Sequence, residues 1–328
     1  MSRRVTNLVL LALAGALVAT GLLAWVLTEA QAAPLYVAHR VLGLALVVAL
    51  VAKYGIASAS IRRRLGRALD PSVALSVLAG LALAATLALG LGWTLGAVSF
   101  DTWGYSALNI HVFLGLGLFA LVAAHAALRW ERRPSLIRLA GRRNALRLAG
   151  IGIVAAVATP LLERFADQRR ATGSKHAASF SGNGFPLTIW NFDSIPEIRP
   201  EAWRITIDGA VTRPSSFTYA ELVALPRSDR VAVIDCTGGW WSEQRWRGAR
   251  VGELLARCGP REDATAATVI SVTGHRWTFP LAEVEDALLA THVGDEVLSA
   301  GHGFPARLVV PERRGFQWIK WVERIEIG

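Results

Sequence analysis

RVAVIDCTGGWWSEQRWRGARVGELL, residues 230–255, opens as a β-branched apolar run, closes as an amphipathic helix, and carries a cysteine, a glycine pair and a tryptophan pair between them. The run reads as a buried strand that ends at Cys236. Outward from it, WRITIDGAV (203–211), ATVISVTG (267–274) and ARLVVP (306–311) read as further strands. TYAELVAL (218–225), VGELLARCG (251–259) and LAEVEDALLA (281–290) read as short helices, the first with Thr218 as its N-cap. Residues 186–328 are therefore expected to form an α+β domain with its own core. A thiolate at a strand end, beside flexible backbone and aromatic walls, suits a soft metal. Cys236 is the candidate ligand, and Trp240 and Trp241 are candidate walls of a catalytic pocket. Cys258, at a helix end before Gly259, reads as ordinary packing, and two cysteines exclude a disulfide scaffold.

The last stretch, GHGFPARLVVPERRGFQWIKWVERIEIG (301–328), gathers His302, Arg307, Arg313, Arg314 and Lys320 around glycine turns. Cationic donors mixed with exposed backbone N–H groups suit a phosphate.

The first half has a different texture. Of the 328 residues 53% are hydrophobic and only 18% charged, too apolar for one soluble domain. Apolar stretches run over about 7–27, 35–59, 72–97, 107–128 and 146–162; the first four are long enough to span a bilayer, and the fifth is shorter and milder. The net charge of +10 first suggests a polyanionic partner. Residues 1–165 hold 16 Lys and Arg against 5 Asp and Glu, whereas residues 166–328 hold 19 against 20. The excess sits in the apolar half, at Arg3 and Arg4, at Arg62–Arg64 and Arg67, and at seven arginines between 129 and 147. The alternate loops carry Glu29 and Asp101 and no basic residue. The positive-inside rule then makes the N-terminus cytoplasmic and puts residues 166–328 on the extracytoplasmic, periplasmic-type side. Nucleic acid is excluded as a partner, and the lipid bilayer is expected instead. Residues 166–185, polar and rich in Gly, Ser and Ala, read as a linker between a membrane domain (1–165) and the domain at 186–328.

Two spans share a motif: HRVLG at 39–43 and HVFLG at 111–115. His39 and His111 lie at equal depth near the outer ends of their spans, an arrangement that suits axial ligation of a haem iron. Gly43 and Gly115, four residues on, share their faces and would let a porphyrin approach. His125, fourteen residues after His111, falls about 40° short of four turns and ~21 Å further in, as a second stacked haem would need. The matching position on the other span is Lys53, which leaves that second haem in doubt. The same histidines would also serve as buried polar contacts in a bundle that only anchors. This half resembles the diheme four-helix cytochrome b families over about residues 5–130, and the resemblance implies one haem b between His39 and His111. Adjacent arginines followed by a mild apolar run in GRRNALRLAGIGIVAAVATP (141–160) look like an internal twin-arginine export signal, with AVA (156–158) as a cleavage-type site.

The Cys236 segment and the C-terminal stretch together resemble the molybdopterin domain of the sulfite oxidase superfamily, which includes periplasmic methionine-sulfoxide reductase catalytic subunits. The resemblance implies that Cys236 is the thiolate ligand of molybdenum. It places His302, Arg307 and Lys320 on positions that hold the pterin's phosphate, with Arg313 beside them. It makes Asn191 and Phe192 of WNFDSIP (190–196), and Gly315, Phe316 and Gln317, further pterin contacts. Sulfite oxidases carry arginines soon after the ligating cysteine, where this chain reads TGGWW. An aromatic pocket for an organic S-oxide or N-oxide is therefore expected rather than a sulfite site. The expectation is a membrane-bound molybdenum-dependent oxidoreductase that transfers oxygen atoms to or from a small molecule and exchanges electrons with the quinone pool through haem b. The alternatives are a quinone-linked sulfite-type oxidase, and a non-haem anchor carrying a degenerate pterin-binding module.

Overall fold

The computed structural model describes residues 3–64, 71–98, 101–102, 105–128, 141–164, 169–189 and 193–328, divided into two compact units, Met1–Gly173 and Ser174–Gly328. The first unit is helical: α1 (Arg3–Val26), α2 (Glu29–Arg64), α3 (Pro71–Thr94), α4 (Ala107–Leu128) and α5 (Arg142–Glu163), with a two-residue ribbon of β1 (Asp101–Thr102) and β2 (Tyr105–Ser106) before α4. Each helix contains a segment of 21–23 residues apolar enough to cross a membrane, which matches about 30 Å of hydrocarbon at 1.5 Å per residue. Leu81, Phe113, Leu146 and Ile153 stand exposed, as lipid-facing positions should.

The fifth helix differs from its sequence reading. It is a full-length span of 22 residues rather than a short mild one, because it begins at Arg142 inside the basic run. Residues 156–158 lie within its unbroken length. Its end is tied to α2: Arg40, next to His39, pairs with Glu163 and donates to the Ala171 carbonyl (3.0 Å), and Arg170 pairs with Glu29.

The second unit is built on two sheets. Its elements in order are β3 (Lys175–His176), β4 (Arg204–Gly209), β5 (Ser215–Thr218), α6 (Tyr219–Ala224), β6 (Ser228–Asp235), β7 (Trp240–Arg250), α7 (Val251–Cys258), β8 (Ala266–Ser271), β9 (Arg276–Pro280), α8 (Leu281–Asp286), β10 (Leu288–Val293), β11 (Glu296–Val297), β12 (Arg307–Val309) and β13 (Val322–Ile327). One sheet runs β11-β10-β7-β3, with β6 also paired to β7 and β12 to β10. The other runs β5-β4-β13-β8-β9, with β4 and β13 parallel. Local chemistry agrees with this arrangement. Thr218 and Glu221 form a capping box at α6, a device that contributes about 1 kcal/mol. On α7, Val251, Leu254, Leu255 and Cys258 form a buried stripe at helical spacing, and Gly259 closes the helix at φ +65°. The core gathers Ile205, Ile207, Trp246, Leu254, Val269, Leu289 and Ile325.

The expected linker over 166–185 is corrected in its second part. Residues from Ser174 on belong to the second unit, and β3 adds in parallel to the edge of β7, with Lys175 against Trp240 and His176 against Trp241. Gly, Ser and Ala look like linker composition, but a strand held by backbone hydrogen bonds needs no apolar side chains.

Candidate functional site

In the second unit, β6 and β7 are joined by a four-residue turn, and Cys236 is its first residue. The Gly239 N–H donates to the Cys236 carbonyl (3.0 Å), and Gly239 has φ +89°, a left-handed conformation that glycine adopts without strain. The Gly238 N–H donates to Cys236 Sγ (3.3 Å). The thiol also approaches Thr188 Oγ1 (3.5 Å), which accepts from Trp240 Nε1 (3.0 Å). Gly315 lies against this turn: a Cβ there would stand 3.2 Å from Cys236 Cα, so a side chain would push the turn back by a few tenths of an ångström.

Cys236 lines a cavity shared with Trp240, His302, Arg307, Gly315, Phe316 and Lys320, the residues that the sequence pointed to. Thr188, Asp193, Ser271, His275 and Trp321 line it too, and sequence reasoning missed them. Thr188 sits in an unpatterned segment and carried no signal. His275 donates from Nε2 to the Phe316 carbonyl (2.8 Å), which fixes the turn at Gly315–Gln317.

Three predicted residues fall elsewhere. Trp241 alternates with Trp240 on β7, so it faces the other way and packs edge-on against His176 at 4.7 Å between ring centroids. Arg313 is turned from the cavity into a two-pronged pair with Glu283 of α8 (2.6 Å on each prong), which holds its pKa above the usual value. Gln317 is fully buried beneath the cavity, with Oε1 accepting from the Arg314 N–H (3.0 Å). Asn191 and Phe192 lie outside the described residues.

The cations at the cavity are unusual in their partners. Arg307, 2% exposed, donates from Nη1 to the His302 carbonyl (3.0 Å), and its Nε has no partner among the described residues. Lys320 donates only to carbonyls, those of Thr188 (2.9 Å) and Gly301 (2.8 Å). Among the described residues no carboxylate is bonded to either. Burial, then the Arg307 charge, lowers Lys320 to about 7; burial lowers Arg307 to about 10. Burial, with Arg307 beside it, lowers His302 to about 4, so its ring is neutral at pH 7, placed between Ser299 Oγ (2.8 Å) and the Phe185 carbonyl (3.1 Å). A buried guanidinium and a part-buried ammonium beside a thiol, with no bonded carboxylate among the described residues and an orphaned guanidinium N–H, fit an anionic ligand such as a phosphate-bearing dithiolene.

These lowered values carry a pH dependence. Between 6.5 and about 4 the unfolded chain binds a proton at His302 that the folded chain refuses, and between 10.5 and about 7 the same holds at Lys320. The ligand-free protein should therefore melt at higher temperature as pH rises through each window. Thermal scans by tryptophan fluorescence check this, and a flat profile over pH 4.5–6.5 would contradict the burial of a neutral His302.

In the first unit, His39 of α2 and His111 of α4 face each other with ring centroids 6.2 Å apart and planes at 80°. His39 Nδ1 lies 3.0 Å from the Leu17 carbonyl and His111 Nδ1 2.9 Å from the Thr86 carbonyl. A carbonyl only accepts, so each Nδ1 carries a proton, and in a neutral ring each Nε2 keeps its lone pair. A metal ion held by both rings would put their centroids roughly 6 Å apart, so His39 and His111 would be the residues to hold one. Two glycines on neighbouring helices admit these rings. A Cβ at Gly21 of α1 would lie 3.3 Å from His39 Cε1, and at Gly90 of α3 2.9 Å from His111 Cε1, whereas Gly43 meets nothing within 4 Å and Gly115 only Thr86 at 3.9 Å. His125 contacts Ser76 Oγ at 3.4 Å.

Residues 192–328 match the family model described as the oxidoreductase molybdopterin binding domain. The chain is 30% identical over 169 residues to nitrate reductase [NADH] 1 of Phaseolus vulgaris, covering 41% of this chain and 19% of that protein. It is 29% identical over 170 residues to mitochondrial sulfite oxidase of Drosophila melanogaster, covering 43% of this chain and 30% of that one. It therefore spans less than a third of the length of these relatives. Among solved structures, the sulfane dehydrogenase SoxCD of Paracoccus pantotrophus aligns with a TM-score of 0.43 at 26% identity, over 46% of this chain and 44% of that one.

Proposed function

Because the C-terminal half of the chain is a molybdopterin-binding oxidoreductase domain of the sulfite oxidase and nitrate reductase family, we propose that the protein is a membrane-held molybdoenzyme reducing small organic S-oxides or N-oxides outside the cytoplasmic membrane. The observation that carries this reading is the cavity that the Cys236 thiol shares with the buried Arg307 and the part-buried Lys320, neither bonded to a carboxylate among the described residues. When bound, the molybdenum centre supplies two-electron oxygen-atom transfer. Cys236 would hold the metal through Sγ, and the Gly238 N–H on that sulfur keeps it aimed. Arg307 and Lys320 would hold the pterin's phosphate, with the neutral His302 setting the turn whose carbonyl orients Arg307. Trp240, anchored through Thr188, gives the mouth an aromatic wall. The turn after Cys236 offers no arginine, which favours a neutral substrate over sulfite.

Reducing an S-oxide to a sulfide and water takes two electrons and two protons, which one quinol provides. The pair His39 and His111, with both Nε2 atoms unprotonated, supports a single haem b as the carrier that splits this transfer into one-electron steps. The arginines at 3–4, 62–67 and 129–147 support a periplasmic-type location for the catalytic domain. Purified protein should contain one molybdenum and one b-type haem per chain, and it should reduce methyl sulfoxides with a quinol as donor. Oxidation of sulfite in place of S-oxide reduction would overturn the substrate assignment, and absence of molybdenum after pterin-competent expression would overturn the whole reading.

A further inference from the structure

Behind Cys236, on the side away from the cavity cations, lies a charged cluster that the cofactor reading does not use. Asp235 (3% exposed) and Arg314 (2%) form an ion pair, Oδ1 to Nη1 at 2.6 Å. Ser174, fully buried, donates from Oγ to the same Asp235 Oδ1 at 2.6 Å. Arg314 Nη2 donates to the Cys236 carbonyl (3.3 Å), the carbonyl that also receives the Gly239 N–H. The backbones of Asp235 and Arg314 are joined by a parallel bridge, which places Gly315 directly on Cys236.

A buried ion pair is a poor device for stability alone, since an apolar pair of similar volume is often as stable. Here the pair converges on one backbone carbonyl, and that carbonyl closes the turn that puts the Gly238 N–H on the sulfur. Arg314 also differs from Arg307 and Lys320 in its charge balance. Its charge is matched by Asp235, so it acts as a fixed donor and leaves the cavity's cationic excess to the other two.

We propose that Ser174, Asp235 and Arg314 form a positioning unit that acts through the Cys236 carbonyl to hold the thiol in its aimed geometry. Arg314 supplies the donor, Asp235 balances its charge at ion-pair distance, and Ser174 fixes the carboxylate. The significance of the aimed thiol rests on the reading of Cys236 as the metal ligand; the positioning itself does not.

The test uses the full-length chain in detergent, purified from a host that makes no pterin cofactor. The rate at which methyl methanethiosulfonate modifies Cys236 is followed at one fixed pH, with the site quantified by peptide mass spectrometry. In Asp235→Leu/Arg314→Met the apolar pair keeps the volume. The protein is expected to fold, with Cys236 modified about fivefold more slowly at pH 7, a loss on the scale of one hydrogen bond. Ser174→Ala is expected to slow the modification by about half as much on a logarithmic scale, and Ser174→Thr, which keeps the hydroxyl, to restore it. A purely structural role would lower the melting temperature and leave the rate in the folded protein unchanged or raise it by loosening the turn, and either result overturns the proposal. If the double variant does not fold, Ser174→Ala against Ser174→Thr decides alone. Wild-type protein that takes up no molybdenum would sink the metal-ligand reading and leave this result standing.

Discussion

Cys236→Ser should yield a full-length protein that folds, binds haem and contains less molybdenum than the wild type, with S-oxide reduction at background. A serine hydroxyl stays protonated at neutral pH and is a hard ligand, so it replaces neither the charge nor the softness of a thiolate. The substitution barely disturbs packing. The thiol makes two weak contacts, with the Gly238 N–H at 3.3 Å and Thr188 Oγ1 at 3.5 Å, which a hydroxyl can also make. The melting temperature should therefore move by only a few degrees, the scale of about 1 kcal/mol in a domain of this size. Cys258 cannot take over. It is fully buried in the core at the end of α7, and that burial pushes its thiol pKa up, away from the metal-binding form. Molybdenum by mass spectrometry, turnover with a reduced viologen donor and a thermal scan check the three parts. Retained molybdenum and turnover would remove Cys236 from the site.

The residues that sequence exposes best at this site are those carried by contiguous chemistry. Cys236, the glycine pair and Trp240 lie within five residues, and His302 to Lys320 within nineteen, so one strand end and one turn bring most of the cavity together. The residues placed away from the cavity are neighbours in sequence that point apart. Trp241 follows Trp240 on a strand and so faces away; Arg313 precedes Arg314, and only the fold reveals that Glu283 claims one and Asp235 the other. Ser174 and Thr188 reach the Cys236 turn from 62 and 48 residues away, inside or just after a stretch with linker composition, and local pattern does not encode such contacts. In the helical unit the span count was legible, since hydrophobic length is a local property. Which glycines seat the histidines was not: Gly21 and Gly90 lie on neighbouring helices and act through packing, which local pattern does not encode.

That packing leads to the second large effect. His111→Ala should lose the haem, taking the reduced-minus-oxidised absorbance per protein from one equivalent to near zero, and His39→Ala should do the same. One remaining imidazole cannot hold the iron on both axial sides, and neither variant offers another ligand at that depth among the described residues. His125→Ala should retain the outer haem, because His125 stands about 21 Å further along α4 at 1.5 Å per residue and contacts Ser76 instead. Gly90→Val separates ligation from packing. Even the first carbon of the new side chain would lie 2.9 Å from His111 Cε1, which forces the ring off the Thr86 carbonyl that fixes its tautomer. Haem content should fall severalfold, and the midpoint potential of what remains should shift, because the Nδ1–H bond that sets ligand basicity is lost. Gly115→Val, whose Cβ would meet only Thr86 at 3.9 Å, should leave the Nδ1–H bond of His111 intact. Full haem occupancy in both histidine variants would mean that this pair holds no iron, and wild-type protein without haem would mean that the bundle serves as an anchor.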